Sequence, residues 1–337
     1  MIGWIGRVRS GCMGLALAVS VSAGPGAAAT GQRVFPTLDR PPSADPYPDR
    51  ITQFPGGVTS MADVVYSVVP GYRPMILDLY LPPKGKTSAP KPLVIYVHGG
   101  GWVGGHTRAA GALADFPKAL AALSAEGFVV ASVEYRLSGE ARFPAQLDDM
   151  RAAIRFLKGK AGTYGIDPAR VAIWGGSAGG HLAALAALSC GAPGFDAKPQ
   201  PAGSECVQAA AIWYGVFDFA PIVARAEGSP TALIGCADAA SCPVDRIRAV
   251  SPLTYLDAGD PPFLLIHGED DRTVSVTQSK EALAKMRAAG VKVDAILLPG
   301  IDHSFIGKTP EETRTATLRA VNTTFDFFHA QLDRPGR

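Results

Sequence analysis

A serine in a glycine-rich segment is the first group in this sequence whose setting suggests chemistry. Ser177 lies within residues 175–180 (GGSAGG), which follow a short apolar run, 171–174, and precede an Ala/Leu-rich stretch typical of a helix. In a G-x-S-x-G turn between a strand and a helix, the glycines leave room around a strained, exposed serine above the helix N-terminus. This setting predicts that Ser177 is a nucleophile. The motif alone is weak evidence in a chain with 38 glycines, so partners must be found elsewhere.

Carboxylates and a histidine follow two later apolar runs. Residues 269–271 (EDD) come soon after the run at 263–266, and His303 follows the run at 293–298. A histidine can take the proton of a serine hydroxyl, and a carboxylate can orient that histidine and stabilise its charged form. From chemistry alone, Asp270 and Asp271 are nearly equivalent candidates for the carboxylate. A lone histidine is more often structural than catalytic, so His303 needs further support.

Three consecutive glycines offer a further chemical group. They lie in residues 98–102 (HGGGW), directly after the apolar run at 93–97. Consecutive glycines let backbone N–H groups turn towards a ligand with no side chain in the way, as stabilisation of a developing oxyanion requires. The alternative is an ordinary glycine turn. The segment is therefore a candidate oxyanion site.

These groups need a scaffold that brings the ends of several strands together. The sequence predicts eight strands: 63–69, 75–81, 93–97, 128–133, 171–174, 209–213, 263–266 and 293–298. The first two predict an antiparallel entry to the sheet, and helical stretches alternate with the rest. Apolar strands alternating with helices predict an α/β fold with a mostly parallel sheet and helices on both faces. The carboxyl ends of such strands meet at one edge, where active sites gather.

Four motifs in this order resemble those of the α/β-hydrolase superfamily. They are 98–102 (HGGGW), 134–137 (EYRL), 175–180 (GGSAGG) and 302–305 (DHSF), within a resemblance that covers about residues 60–332. The chain is most similar to the HGGG-type carboxylesterase and lipase branch, which includes hormone-sensitive-lipase-like carboxylesterases and bacterial feruloyl and acetyl esterases. The resemblance implies an α/β-hydrolase fold with an eight-stranded sheet.

The resemblance also implies roles for individual residues. The acid of this family occupies the fifth position of H-G-x-x-D, which is Asp271 here, and the chain order Ser, Asp, His is that of the fold. The implied catalytic triad is Ser177, Asp271 and His303. The implied oxyanion hole consists of the N–H groups of Gly100, Gly101 and Ala178. Trp102 is expected near the substrate.

The expected activity is hydrolysis of carboxylic esters with small to medium acyl chains, through an acyl-enzyme intermediate and without a metal or redox cofactor. The expected substrate is a small-molecule or polymer-linked ester. One alternative keeps the triad but cleaves amides, as arylformamidases and prolyl-oligopeptidase-like peptidases do. Another alternative is a binding module that keeps the hydrolase fold without catalysis.

The N-terminal residues 1–29 predict a secretory signal peptide. Arg7 and Arg9 precede an apolar run, 11–21, and residues 27–29 (AAA) offer small side chains for cleavage. About a dozen apolar residues are too few to span a bilayer, which requires about 20, so export with cleavage is favoured over a membrane anchor. The mature protein is then expected to be periplasmic or secreted. Residues 30–60 predict an extended proline-rich arm, and residues 61–332 the catalytic domain.

Four cysteines follow the predicted leader, and an even number in an exported chain suggests disulfides. Proximity in the sequence favours the pairs Cys190–Cys206 and Cys236–Cys242, each of which brackets a loop rich in glycine, proline or alanine. The spacing of the cysteines does not match a zinc site.

The overall charge bears on possible partners. The net charge is +2, and the sequence has no basic run or basic patch interleaved with aromatic residues, so nucleic acid is not an indicated partner. The sequence predicts no stable membrane insertion, and it specifies no oligomeric state.

Overall fold

The computed structural model describes residues 50–84, 89–192, 205–225 and 228–333. The predicted signal peptide, residues 1–29, and residues 30–49 of the predicted arm lie outside the described residues. Residues 50–60 of that arm lie inside them and form a strand, a 3-10 turn and the start of a second strand. The sheet therefore begins at Arg50, N-terminal to the boundary predicted at residue 61.

One sheet of nine strands organises the described residues. The strands are β1 (Arg50–Phe54), β2 (Val58–Ser67), β3 (Met75–Leu81), β4 (Lys91–Val97), β5 (Val129–Val133), β6 (Ile166–Gly176), β7 (Ala209–Trp213), β8 (Phe263–Gly268) and β9 (Val293–Leu298). Their order across the sheet is β1-β2-β3-β5-β4-β6-β7-β8-β9. In this order, the pairs β1–β2, β2–β3 and β3–β5 are antiparallel, and every later pair, from β5–β4 to β8–β9, is parallel.

The prediction of a mostly parallel sheet with an antiparallel entry is confirmed, but the count of eight strands was wrong. The additional strand is β1, which pairs with β2 at the edge of the sheet. Four of its five residues are exposed, so its sequence carries no buried apolar pattern by which it could be recognised.

Helices cover both faces of this sheet in the described part of the chain. They are α1 (Phe116–Ala125), α2 (Ala145–Gly159), α3 (Ala161–Tyr164), α4 (Ala178–Leu188), α5 (Ala220–Arg225), α6 (Ser229–Ile234), α7 (Val244–Val250), α8 (Thr277–Ala288) and α9 (Pro310–Leu332). None of the helices in these residues is both long enough and apolar enough to cross a membrane.

The side chains of β4 show how the two faces are buried. Leu93, Ile95 and Val97 join a core that includes α2, α4 and α8. Val94 and Tyr96 point to the other face and join a core that includes α1 and α9. Alternate residues of one apolar strand thus enter two cores, as a sheet covered on both faces requires.

Two disulfides join the predicted cysteine pairs. Cys190–Cys206 connects the end of α4 to the segment before β7, and Cys236–Cys242 closes the loop between α6 and α7. The Cα atoms are 5.3 Å apart in both pairs, which is an ordinary disulfide spacing. Both pairings predicted from sequence proximity are present.

Candidate active site

Ser177 lies between β6 and α4 in a backbone conformation that few side chains adopt. Its φ and ψ are 56° and −123°, and its N–H donates a hydrogen bond of 3.0 Å to the carbonyl of Trp213 on β7. A Cβ at Gly175 would collide with the Gly179 backbone, and a Cβ at Gly179 would collide with the Val97 carbonyl on β4. The two glycines of the motif are therefore needed because strand and helix meet here without space for side chains.

His303 lies between the other two residues of the predicted triad. Its Nε2 is 3.1 Å from Ser177 Oγ, and its Nδ1 is 2.8 Å from Asp271 Oδ2. A carboxylate can only accept, so Nδ1 carries a proton and its N–H donates a hydrogen bond to Asp271. Nε2 is then left to accept a hydrogen bond from the serine hydroxyl. These three side chains, distant in sequence, form one hydrogen-bonded chain.

Asp271 is the carboxylate that meets His303, whereas Asp270 is exposed. The Asp271 side chain is fully buried, and its Oδ1 accepts from the N–H groups of Thr273 at 2.9 Å and Val274 at 2.8 Å. Burial by itself would raise the pKa of Asp271. Hydrogen bonds from His267, His303 and the Val274 N–H outweigh burial and hold this pKa well below its usual range.

His267 is a support for Asp271 that the sequence did not reveal. It is fully buried, and its Nε2 lies 3.2 Å from Asp271 Oδ2 and 2.8 Å from the carbonyl of Val274. Both neighbours are acceptors, so Nε2 carries the proton, and in the neutral ring Nδ1 accepts from the Ser279 hydroxyl at 2.7 Å. His267, the first residue of the H-G-x-x-D motif, thus points an N–H donor at Asp271, the last residue of the motif.

An ion pair holds the His303 loop against the Asp271 loop. Asp302 accepts hydrogen bonds from the N–H groups of Arg272 at 3.0 Å and His303 at 2.7 Å, and it also pairs with the Arg272 guanidinium. These hydrogen bonds, that of the Arg272 N–H foremost, lower the pKa of Asp302. The sequence showed these residues only as neighbours of Asp271 and His303, and their contact depends on the packing of β8 beside β9.

The glycine loop after β4 turns next to Ser177. Gly100 and Gly101 have φ values of 116° and 59°, and a Cβ at Gly100 would collide with the Gly104 carbonyl. Among the described residues, no acceptor pairs with the N–H groups of Gly100, Gly101 or Ala178 at the start of α4. Gly100 and Gly101 line the same cavity as Ser177. These amides are therefore free to bind a ligand oxygen.

His98, the first residue of the loop, stabilises it through contacts of its ring and its carbonyl. Its ring stacks on Tyr135 with centroids 4.4 Å apart, and its Nδ1–H donates to the Gly99 carbonyl at 2.7 Å. The Tyr135 hydroxyl in turn donates to the His98 carbonyl at 3.1 Å. Burial lowers the pKa of His98 to about 4, so the ring is neutral at neutral pH.

Trp102, which the resemblance places near the substrate, is buried and contacts α4. It is 4% exposed, it is absent from the cavity lining, and its indole N–H donates to His181 Nδ1 at 3.1 Å. His181 on α4 then donates from Nε2 to the Val250 carbonyl at 2.7 Å, and burial lowers its pKa to about 4. A buried indole N–H requires an acceptor, which His181 supplies.

A cavity of about 370 Å³ opens beside Ser177 and His303. Most of the residues that line it are small, including those of the glycine loop and residues 109–111, and its large side chains besides His303 are Tyr96 and Tyr214. No group of three or more His, Cys, Asp or Glu side chains within the described ranges has the geometry of a metal site. The cavity is large enough for a small organic group beside Ser177.

Comparison with known proteins places the chain in a family. The model of the BD-FAE family matches residues 77–286, which is more than half of the chain. The chain belongs to the BD-FAE family. The match begins in β3 and ends in α8, so it includes the glycine loop, Ser177 and Asp271.

This BD-FAE protein is similar to two esterases of Mycobacterium tuberculosis. It is 34% identical over 254 residues to the esterase LipQ, in an alignment that covers 72% of this chain and 57% of LipQ. It is 31% identical over 231 residues to the esterase LipC, in an alignment that covers 66% of this chain and 55% of LipC. The BD-FAE chain thus spans little more than half the length of these relatives.

The BD-FAE chain is also similar to a solved structure described as a truncated form of a carbohydrate esterase from gut microbiota. That superposition has a TM-score of 0.67 at 29% identity and covers 84% of this chain and 99% of the other. The family match, the relatives and this structure confirm the resemblance to the α/β-hydrolase esterases.

Proposed function

We propose that this protein hydrolyses carboxylic esters, with Ser177 as nucleophile, His303 as general base and Asp271 as the acid that orients it. The observation that carries this proposal is the hydrogen-bonded chain from Asp271 through His303 to Ser177, which opens onto a cavity. Nucleophilic catalysis by serine requires a base within hydrogen-bond reach and a third group to orient that base. The names of LipQ and LipC support an ester as the substrate.

The proposed reaction proceeds in two halves. As Ser177 Oγ attacks the ester carbonyl, His303 Nε2 takes its proton, and Asp271 stabilises the imidazolium that forms. The tetrahedral intermediate collapses, the alcohol leaves with the proton from His303, and the acyl group remains on Ser177. Water then attacks the acyl group as His303 takes its proton, and His303 returns that proton to Ser177 Oγ as the ester bond to the serine breaks and the carboxylic acid is released.

The oxyanion of each intermediate would accept hydrogen bonds from the N–H groups of Gly100, Gly101 and Ala178. The absence of other acceptors for these amides among the described residues supports this assignment. Such donors contribute because they are already oriented when the negative charge develops. One donor of this kind is typically worth about 3 kcal/mol of transition-state stabilisation.

The proposed substrate is a neutral ester with a small to medium acyl group, either free or attached to a polymer. A cavity of about 370 Å³ with mostly small lining residues supports this size. The similar structure described as a carbohydrate esterase adds acylated sugars to the substrates that should be assayed.

The decisive experiment replaces Ser177 with alanine. We expect kcat for 4-nitrophenyl acetate to fall by about 10⁴-fold or more in Ser177→Ala, with circular dichroism and Tm close to those of the wild type. A fluorophosphonate probe should label the wild type and spare the variant. Ser241→Ala, at an exposed serine between α6 and α7, is the matched control and should keep both activity and labelling.

Two outcomes favour the alternatives predicted from the sequence. Faster cleavage of a 4-nitroanilide than of the matching 4-nitrophenyl ester would indicate an amidase or peptidase. A folded wild type that neither cleaves an ester nor reacts with the fluorophosphonate would indicate a binding module. Near-wild-type ester hydrolysis by folded Ser177→Ala would refute the assignment of the nucleophile.

We also propose that the protein is exported and that Arg50 to Leu332 act as its catalytic domain. The two disulfides support export, because structural disulfides persist in oxidising compartments. N-terminal sequencing of the protein from periplasm or culture fluid should show that residues 1–29 have been removed. Recovery of the protein only from cytoplasm, with Met1 still in place, would contradict export.

A further inference from the structure

Two buried tyrosines border the cavity that contains Ser177 and His303. Tyr96 and Tyr214 are 1% and 3% exposed, yet both line the cavity. The proposed reaction uses neither of them. Both tyrosines therefore border the active site without a part in the proposed reaction.

Tyr214 follows β7 in a strained conformation. Its φ is 37°, in the left-handed region that non-glycine residues rarely adopt, and its N–H donates to the Ile266 carbonyl on β8 at 2.8 Å. Its ring packs edge-on against the His303 ring with centroids 4.7 Å apart. Strain of this kind persists mainly at functional sites, so the position of the Tyr214 side chain indicates a functional role.

Two glycines make the room for the Tyr214 hydroxyl. A Cβ at Gly111 or at Gly176 would lie 3.0 Å from the hydroxyl oxygen, closer than ordinary packing permits. Gly176 is the residue before Ser177, and both glycines line the cavity. The hydroxyl thus lies beside the nucleophile, where burial raises the pKa of Tyr214 by more than hydrogen bonding with the Ser304 side chain lowers it.

Tyr96 approaches the cavity from β4. Its ring packs against Phe116 and Trp174 with centroids 4.4 Å and 4.9 Å away. Within the described part of the chain its hydroxyl has no hydrogen-bond partner, and it is not among the polar atoms sealed from solvent. Phenylalanine would fill the same volume, so the packing alone does not account for the hydroxyl.

The chemistry of the cavity wall defines the ligand. Burial raises the pKa of both tyrosines, so each is a neutral phenol that can donate and accept one or more hydrogen bonds. Among the described residues that line this cavity there is no Lys, Arg, Asp or Glu to pair with an ionic group. A neutral oxygen, such as a hydroxyl or ether, fits this wall better than an ion or an alkyl chain.

We propose that the hydroxyls of Tyr96 and Tyr214 form a polar subsite that binds a neutral hydroxyl or ether oxygen of the ester. The subsite rests on the proposed ester hydrolysis at Ser177 and specifies its substrate class: esters with a hydroxylated acyl or alcohol part. An alkyl group in the same position displaces water from the phenols without replacing its hydrogen bonds, and this loses affinity.

Two pairs of nearly isosteric esters test the acyl and alcohol sides separately. Ethyl glycolate is compared with ethyl propanoate, and 2-hydroxyethyl acetate with propyl acetate, so that a hydroxyl replaces a methyl group in each pair. Acid release is followed in a pH-stat, and each kcat/KM is divided by the rate constant for hydroxide-catalysed hydrolysis of the same ester. For the wild type this corrected ratio of hydroxyl to methyl ester should exceed 1 in one pair.

The variants Tyr96→Phe and Tyr214→Phe each remove one oxygen atom. In the favoured pair, each should lower the hydroxyl-to-methyl ratio by about 3- to 10-fold, which corresponds to one neutral hydrogen bond. The control is Tyr80→Phe, at a buried tyrosine of the same core that is not part of the cavity lining, and it should leave the ratio unchanged.

The outcomes separate the subsite from the reaction. Corrected wild-type ratios at or below 1 in both pairs would overturn the subsite, whether or not the variants fold. Ratios that change less than twofold in both folded variants would overturn it as well. Absence of hydrolysis of all four esters by the wild type would instead contradict the proposed function.

Discussion

Replacement of Asp271 by asparagine tests the electrostatic arrangement of the site. The Asp271 carboxylate accepts from four donors: the N–H groups of Thr273 and Val274 on Oδ1, and His303 and His267 on Oδ2. Asparagine has one acceptor oxygen and one donor group. With its oxygen on the backbone amides, its NH₂ group faces two imidazole N–H groups and cannot bind them.

The expected loss follows from the tautomer of His303. To meet an NH₂ group, His303 Nδ1 must accept, so its proton moves to Nε2, which is 3.1 Å from Ser177 Oγ. Nε2 then donates instead of accepting and cannot take the serine proton. We expect kcat to fall by about 10⁴-fold, equivalent to about 5.5 kcal/mol in the activation free energy.

The assay is steady-state hydrolysis of 4-nitrophenyl acetate, with Tm measured on the same samples. Asp270→Asn is the matched control, because Asp270 is the exposed neighbour and was the alternative candidate from the sequence. We expect Asp270→Asn to keep kcat within about twofold of the wild type. Folded Asp271→Asn with more than about a tenth of wild-type kcat, or an equal loss in Asp270→Asn, would refute the tautomer argument.

Further predictions concern the oxyanion loop and the buried histidines. Gly100→Ala, at φ 116°, should lower kcat at least about 100-fold, whereas Gly139→Ala, where a Cβ has open space, should not; equal kcat values would contradict this. Trp102→Phe leaves the buried His181 Nδ1 without a donor and should lower the free energy of unfolding by about 1–3 kcal/mol in urea titrations; an unchanged value would contradict the contact. The folded-state pKa values of His98 and His181, about 4, lie below the unfolded value. Stability should therefore fall as the pH drops from about 6.5 towards 4, by about 3 kcal/mol per histidine, and a constant urea midpoint over this window would exclude it.

The sequence alone determined the features that depend on local patterns. Apolar runs alternating with helical stretches specified the parallel sheet, because a strand buried on both faces consists of nearly consecutive apolar residues. The GGSAGG segment specified the turn at Ser177, because only glycine fits where β6, β4 and α4 converge. The disulfide pairs followed from cysteines that are close in the sequence.

Only the tertiary structure decided the features that depend on contacts between distant segments. Asp270 and Asp271 are adjacent and chemically alike, and the burial of one carboxylate between His267 and His303 distinguishes them. The strand β1 is stabilised by pairing with β2 while its own side chains are exposed, so no pattern marks it. The Trp102 indole donates to His181 because the free energy of a buried polar group depends on which partner the folded chain brings within reach.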